Sequence, residues 1–264
     1  MKSALGAFFG LATGMGACGG AAAAEDKDAD ELAKALSNPV AALISVPFQY
    51  NYDATYGKNG ERNTLNVQPV IPVSISEDWN LISRTIVPVI AQHDLVPGRN
   101  QFGLGDVVQS VFFSPKEPSA SGLIWGVGPV AMVPTGTDDL SADTWAVGPT
   151  FVVLKQSGQW TYGSLVNHLV DVGGSRRMDI STTFFQPFVS KSLGGGKTLG
   201  FNFESNYDWH GRQWTVPANL TYSKVSTIGN QMVSYTAGVR GYMDGPANGP
   251  DWGVRLVLTL LYPK

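Results

Sequence analysis

Hydrophobic and polar residues alternate one by one along most of the chain after residue 45. The last candidate strand shows the pattern best. Its apolar residues share one parity: Trp252, Val254, Leu256, Leu258, Leu260 and Tyr262. Its polar residues share the other: Asp251, Gly253, Arg255 and Thr259. Successive side chains of a strand point to opposite faces, so the pattern predicts strands with one face in an apolar medium and the other against polar groups.

Twelve such candidates follow one another, separated by clusters of Gly, Asn, Asp, Ser and Pro. They cover residues 45–56, 62–75, 81–93, 105–114, 123–134, 145–156, 160–172, 178–193, 198–209, 213–224, 232–244 and 251–262. An even number of antiparallel strands returns both ends of the sheet to the same side, as bacterial outer-membrane barrels require. The pattern therefore predicts an all-β fold, a transmembrane antiparallel up-and-down β-barrel of about 12 strands.

Candidates one, nine, ten and twelve alternate cleanly, and in the first of them Tyr56 is predicted on the apolar face with Tyr50 and Tyr52. Candidates three, five, six and seven alternate poorly, and their faces stay unassigned. A soluble β-sandwich or barrel is the alternative, because its strands alternate as well.

Two observations favour the membrane. The polar parity holds mostly Asn, Gln, Ser, Thr and Gly, which suits a confined polar lumen better than an open surface. All the tryptophans lie at or beside the ends of candidate strands, where an aromatic girdle meets the membrane interfaces. They are Trp79, Trp125, Trp145, Trp160, Trp209, Trp214 and Trp252.

Prolines inside candidate strands oppose this interpretation, because a closed barrel has no edge at which a missing N–H is harmless. They are Pro47, Pro69, Pro72, Pro88, Pro129, Pro149, Pro187 and Pro217. Bulges would accommodate some of them.

The first residues have the features of a secretory signal peptide over 1–24, with Lys2 before an apolar run and Ala22 to Ala24 as the cleavage site. Lipidation at Cys18, the only cysteine, is the alternative. Residues 25–44 are predicted as a periplasmic segment that forms a short helix or a plug, and residues 45–264 as the barrel. The predicted location is the outer membrane of a Gram-negative bacterium.

Charge is sparse and nearly balanced. Lys and Arg total 18 and Asp and Glu total 21, a formal net charge of −3 that argues against a nucleic-acid partner. Neither a cofactor motif nor a metal-ligand spacing is present in the sequence, so we predict no cofactor and no metal site. The predicted partners are outer-membrane lipids, the barrel insertion machinery and an unidentified small molecule, while the oligomeric state is left open.

Several stretches resemble a family of bacterial outer-membrane barrel proteins labelled as phenol meta-pathway degradation proteins, as neuromedin-U-like proteins or as transporters. They include LNVQPVIPVSISEDWNLISRTIVPVI, QFGLGDVVQSVFFSPKEP, QWTYGSLVNHLVDVGG, YDWHGRQWTVPANL and the ending WGVRLVLTLLYPK. The resemblance runs from about Leu32 to the C-terminus and implies uptake of small, hydrophobic or aromatic molecules. Barrels of this kind usually end on an aromatic residue, whereas here Tyr262 precedes Pro263 and Lys264.

Charged residues on the polar parity are the candidates for lumen selectivity. They are Asp53, Glu204, Asp208, Arg240 and Arg255, with Arg84 and Asp106 less securely placed. Candidate strands one, eleven and twelve are neighbours once the barrel closes, so Asp53, Arg240 and Arg255 are expected to cluster. Such a cluster would either set charge selectivity or merely neutralise itself and brace the interior.

The leading hypothesis is a channel or transporter for small molecules and not an enzyme. One alternative is an outer-membrane hydrolase built on a histidine beside a carboxylate or hydroxyl. Its candidates are His93 with Asp94, His210 with Asp208, and His168 with Asn167 and Ser164. The other alternative is a closed structural or receptor barrel.

Overall fold

Sixteen strand segments form one antiparallel sheet in the computed structural model, which describes residues 28–57, 59–96, 98–174 and 179–263. The segments are β1 Ile44–Tyr56, β2 Gly60–Val67, β3 Val70–Ser74, β4 Trp79–Val96, β5 Arg99–Leu104, β6 Val107–Pro115, β7 Leu123–Val133, β8 Thr144–Ser157, β9 Trp160–Gly174, β10 Ser181–Gly194, β11 Lys197–Phe203, β12 Ser205–Asp208, β13 Gln213–Thr215, β14 Pro217–Ile228, β15 Gln231–Tyr242 and β16 Trp252–Tyr262. The predicted signal peptide and Cys18 lie outside the described residues.

The sheet closes on itself. β1 pairs with β16 in one register from Ile44 opposite Tyr262 to Ala54 opposite Trp252. Four barrel strands are each interrupted once, so that β2 and β3, β5 and β6, β11 and β12, and β13 and β14 are halves of single strands. The result is the predicted barrel of twelve antiparallel strands.

Two of the prolines inside candidate strands lie at interruptions. Pro69 lies in the break between β2 and β3, and the Pro217 carbonyl accepts from the Glu204 N–H at 3.0 Å across the break between β11 and β12. At such a break the strand loses no ladder hydrogen bond to the proline nitrogen, which cannot donate. The other prolines of this set lie inside continuous strands, and two of them, Pro129 and Pro149, face each other on β7 and β8.

The two faces of the last strand are as predicted. Trp252, Leu256 and Leu258 are exposed on the outer face, whereas Arg255 and Thr259 are buried on the inner face. Contiguous apolar exposure of this kind continues around the outside of the barrel on most strands. A soluble monomer rarely exposes a patch of that extent, so the outer face is built for an apolar surrounding.

The prediction for Tyr56 is wrong. The β1–β2 register shifts between Ala54 and Tyr56, and Thr55 between them has a φ of 66°. This bulge adds one residue to β1 and reverses the parity beyond it. The Tyr56 ring consequently lines the lumen beside Asp53.

A short helix occupies residues 28–36 at the N-terminal side, as predicted. It is too short and too polar to cross a membrane, and the described residues hold no helix that could. A single 3-10 turn, Asp138–Leu140, lies in the connection between β7 and β8. All other regular structure in the described part of the chain is strand.

Candidate functional site

The barrel interior is apolar on one side and polar on the other. Inward side chains of β4 and β6 to β9 form an apolar cluster together with Val40 from the N-terminal segment. Its buried members are Val40, Ile82, Phe112, Val152, Leu154 and Leu165. This cluster explains why candidate strands three, five, six and seven alternate poorly, since their inner and outer faces are both apolar. The polar part of the lumen is therefore bordered mainly by β11 to β16, β1 and β2, together with Arg84 and Gln92 of β4.

An ion pair spans the polar side. Arg255 on β16 donates from Nη1 to Glu204 Oε1 at 2.7 Å and from Nη2 to Glu204 Oε2 at 2.8 Å. Its Nε donates to the Asn51 side-chain oxygen at 2.7 Å. Glu204 lies between β11 and β12, so the pair joins walls that are separated by two barrel strands. Two parallel charge-assisted bonds hold both side chains in a fixed geometry.

A second arginine adjoins the pair with looser contacts. Arg240 on β15 has its Nε 3.5 Å from Asp53 Oδ1 and its Nη2 3.8 Å from Glu204 Oε2. The Arg240 and Asp53 side chains are only 8% and 7% exposed. Neither Arg240 Nε nor Asp53 Oδ1 has a hydrogen-bond partner among the described residues. The guanidinium lies over the Tyr242 ring, 5.6 Å from its centroid.

Two further arginines face the lumen and bind neutral partners. Arg62 on β2 donates to the Gln92 side-chain oxygen from Nε at 3.0 Å and from Nη2 at 2.7 Å, and it lies 5.7 Å from the centroid of the Tyr56 ring. Arg84 on β4 donates from Nη2 to the Gln68 side-chain oxygen at 2.9 Å. Sequence reasoning missed Arg62, although it pairs with Asp53 across neighbouring strands.

Two chambers lie along the polar side. The outer chamber, about 400 Å³, is bordered by the charged residues Asp53, Arg62, Glu204, Arg240 and Arg255, and Pro246 and Pro250 of the connection between β15 and β16 line it as well. The inner chamber, about 320 Å³, lies between the helix residues Ala33 and Leu36 and a wall of Gln, Ser and Thr side chains. Gln49 borders both chambers. The ion cluster therefore lies in a lumen that is otherwise lined by neutral polar groups.

The N-terminal segment occupies the mouth at the inner chamber. Ala29 and Ala33 pack with Val225 and Leu261 of the inner wall. Val40 reaches the apolar cluster described above. Two polar contacts add to this packing, because the Asp30 carboxylate accepts from the Gly196 N–H at 2.7 Å and the Lys34 carbonyl accepts from Gln156 Nε2 at 2.9 Å. The helix and the rest of the N-terminal segment together fill much of the mouth at the inner chamber.

Two predicted charges lie elsewhere. Asp208 ends β12 at the rim, where it is exposed and accepts from the His210 N–H at 2.9 Å. Asp106 lies between β5 and β6 and accepts from Gly136 N at 3.0 Å, Ser141 Oγ at 2.7 Å and Ala142 N at 2.7 Å. It thus organises the connection between β7 and β8 and takes no part in the lumen cluster.

The histidines of the hydrolase alternative lie outside the lumen, at the rim or on the outer face. His93 is an exposed neighbour of Asp94 at 3.6 Å. His168 is on the outer face and shares a hydrogen bond of 2.9 Å with Thr183 Oγ1, whereas Asn167 points inward opposite Thr150. No group of three His, Cys, Asp or Glu side chains in the described ranges could hold a metal ion.

The tryptophans lie at or next to strand ends around the outside of the barrel. Six are exposed, and Trp125 is half-buried because it packs edge-to-face on Trp79 with ring centroids 5.7 Å apart. A second aromatic group joins Tyr207 to Trp209 and Trp214 at centroid distances of 4.9 and 4.8 Å. Amphipathic rings at strand ends suit the two interfaces of a membrane.

Comparison with solved structures places the fold among outer-membrane barrels. The COG4313 outer-membrane channel from Pseudomonas putida F1 superposes with a TM-score of 0.66 at 13% identity, over 84% of this chain and 96% of that chain. Outer membrane phospholipase A from Escherichia coli superposes with a TM-score of 0.49 at 12% identity, over 84% and 90%. No protein-family model and no curated protein matches the chain. The chain therefore has the fold of outer-membrane β-barrel proteins.

Proposed function

We propose that this protein is an outer-membrane channel for small molecules. The observation that carries the proposal is the pair of chambers that follow one polar side of the lumen, with an ion cluster between rigid walls. Charged groups at the narrow part of a polar pore set which solutes pass.

The outer chamber limits the size of the solute. Its volume of about 400 Å³ lies within the range of small-molecule sites. The resemblance to barrels associated with degradation of aromatic compounds supports a small organic solute. We place the protein in the outer membrane of a Gram-negative bacterium on the same grounds, together with its apolar outer face and its tryptophans.

Planar-bilayer recording of the refolded protein tests this function. We expect discrete conductance steps, smaller than those of a wide unplugged porin because the N-terminal segment occupies one mouth. If the barrel conducts no ions at any voltage, the result would contradict the proposal and favour a closed structural or receptor barrel. A protein that stays soluble without detergent would contradict the membrane location itself.

One contact supports a second candidate, a hydrolase acting at the outer face. Trp209 Nε1 donates to Thr183 Oγ1 at 2.9 Å, and the same hydroxyl contacts His168 Nδ1 at 2.9 Å. An indole N–H can only donate, so the hydroxyl accepts from Trp209. Its own proton can then go to Nδ1 in the tautomer that leaves this nitrogen unprotonated, as in an activated nucleophile. Ester and phospholipid hydrolysis by wild type, lost in both His168→Ala and Thr183→Ala, would support this candidate. Equal activity in wild type and both variants would remove it.

A further inference from the structure

We propose that the outer chamber binds a small organic monoanion, a carboxylate with an apolar body, between Arg62 and Arg240. This inference rests on the proposed channel function and names the class of solute that the channel favours. It depends on three features of the lumen: an excess of positive charge, arginine atoms without acceptors, and aromatic rings beside them.

Positive charge exceeds negative charge around the ion cluster. Arg62, Arg240 and Arg255 border the outer chamber, whereas Asp53 and Glu204 are its carboxylates. One positive charge is therefore left over in that chamber, and Arg84, which is bound to Gln68, adds a second charge in the lumen. A guanidinium stays protonated at any physiological pH, so this excess cannot titrate away, and its field favours an anion.

Local contacts show which arginines carry the excess. Arg255 takes both oxygens of Glu204, while Arg62 and Arg84 have no carboxylate within 4.0 Å among the described residues and donate to glutamine side chains. Arg240 is almost fully buried and has an Nε without a hydrogen-bond partner. A buried charged donor that lacks an acceptor is costly. The Nε itself is closed off beside Asp53 Oδ1, so a carboxylate bound in the chamber would accept from the terminal nitrogens of Arg62 and Arg240.

The aromatic rings shape the rest of the site. The guanidinium carbons of Arg62 and Arg240 lie over the rings of Tyr56 and Tyr242, and Phe184 adds an apolar surface to the same chamber. A ring beside a guanidinium attracts its charge without taking up its N–H groups, which can still donate to an oxyanion. The chamber therefore offers a charged end and an apolar end to one ligand.

A cation does not fit this chamber. Glu204 is held by Arg255 and approached by Arg240, and Asp53 lies beside Arg240, so both carboxylates that border the chamber already face a guanidinium. A cation in the chamber would therefore meet three arginines, and each carboxylate there already has a guanidinium beside it.

Titration calorimetry of the refolded full chain in detergent tests the site without depending on conduction. The probes are benzoate, its neutral isostere benzamide and the cation benzylammonium. We expect benzoate to bind at least about tenfold more tightly than either analogue, and Arg62→Gln to weaken benzoate about tenfold, as loss of a charge-assisted hydrogen bond implies. Arg62→Lys keeps the charge and should recover part of the loss. Arg99→Gln, at an exposed rim arginine paired with Asp139, is the matched control and should leave affinity unchanged.

Equal affinity for benzoate and benzamide, or equal effects of Arg62→Gln and Arg99→Gln, would overturn the inference. In SDS gel electrophoresis, each variant should migrate differently before and after heating, as a folded barrel does, which shows that folding is intact. Recording in a KCl gradient separates the two proposals, because a conducting but cation-selective barrel would preserve the channel and contradict the anion site. If the barrel binds benzoate selectively but conducts no ions, the proposed anion site stands and the proposed channel function is contradicted.

Discussion

Arg255 and Glu204 form a two-bond ion pair that crosses the polar side of the lumen from one wall to another, with N–O distances of 2.7 and 2.8 Å. Because β16 also pairs with β1, the same arginine links the closing seam of the barrel to the wall at β11 and β12. The pair consequently restrains both the shape of the lumen and the position of its charges.

Glu204→Gln should destabilise the barrel by about 3 kcal/mol, because it leaves Arg255 buried without a carboxylate. We expect the lower end of the range for broken buried pairs, since the Glu204 side chain is 19% exposed. Urea unfolding in detergent measures the loss. Glu117→Gln, in the exposed connection after β6, is the control and should change little. The double variant with Arg255→Gln and Glu204→Gln should lose much less free energy of unfolding than the sum of the losses in the two single variants. Losses that add fully would contradict a direct pair.

Val40→Asp should release the N-terminal segment from the lumen. A carboxylate among Ile82, Phe112 and Val152 costs several kcal/mol to bury, which exceeds what the two polar contacts of the segment can offset. Single-channel conductance should rise. Ala42→Asp, which places the same group on an exposed neighbour, should leave conductance unchanged, and an equal rise in both variants would argue against specific closure by Val40.

Asp106→Asn should loosen the connection between β7 and β8. The carboxylate accepts two backbone N–H groups and one hydroxyl in that connection, and losing a charged acceptor makes local opening easier by about 2 kcal/mol. Limited proteolysis of protein in proteoliposomes should cut the connection faster. Asp251→Asn at an exposed site serves as the comparison, and identical cleavage rates would show that Asp106 does not order the connection.

Trp79 and Trp125 should be energetically coupled. Their rings meet edge to face at 84°, a geometry that adds about 0.5–1.5 kcal/mol beyond burial. A double-mutant cycle with Trp79→Ala and Trp125→Ala, measured by unfolding in detergent, gives the coupling energy directly. Trp160 with Trp125 is the non-contacting control pair, for which the cycle should return no coupling.

Alternation alone predicted the closed barrel and the proximity of Asp53 to Arg240, because both depend only on parity and on which strands are neighbours. The bond from Arg255 to Glu204 was beyond that reasoning, since it joins walls that are not adjacent and depends on curvature and register. Tyr56 was assigned to the wrong face because the bulge at Thr55 reverses the face to which the rest of β1 points. The apolar half of the interior could not be inferred, since strands with two apolar faces carry no period of two.

Strands with two apolar faces also have a consequence before the barrel exists. β7, β8 and β9 are consecutive, rich in β-branched residues and nearly free of charge. A strand that lines a polar lumen keeps one wettable side when it is unfolded, whereas the inner sides of these strands offer only a few uncharged polar residues, Thr150 and Asn167 among them. The packed side of the interior therefore comes from a stretch of the unfolded chain that water solvates poorly.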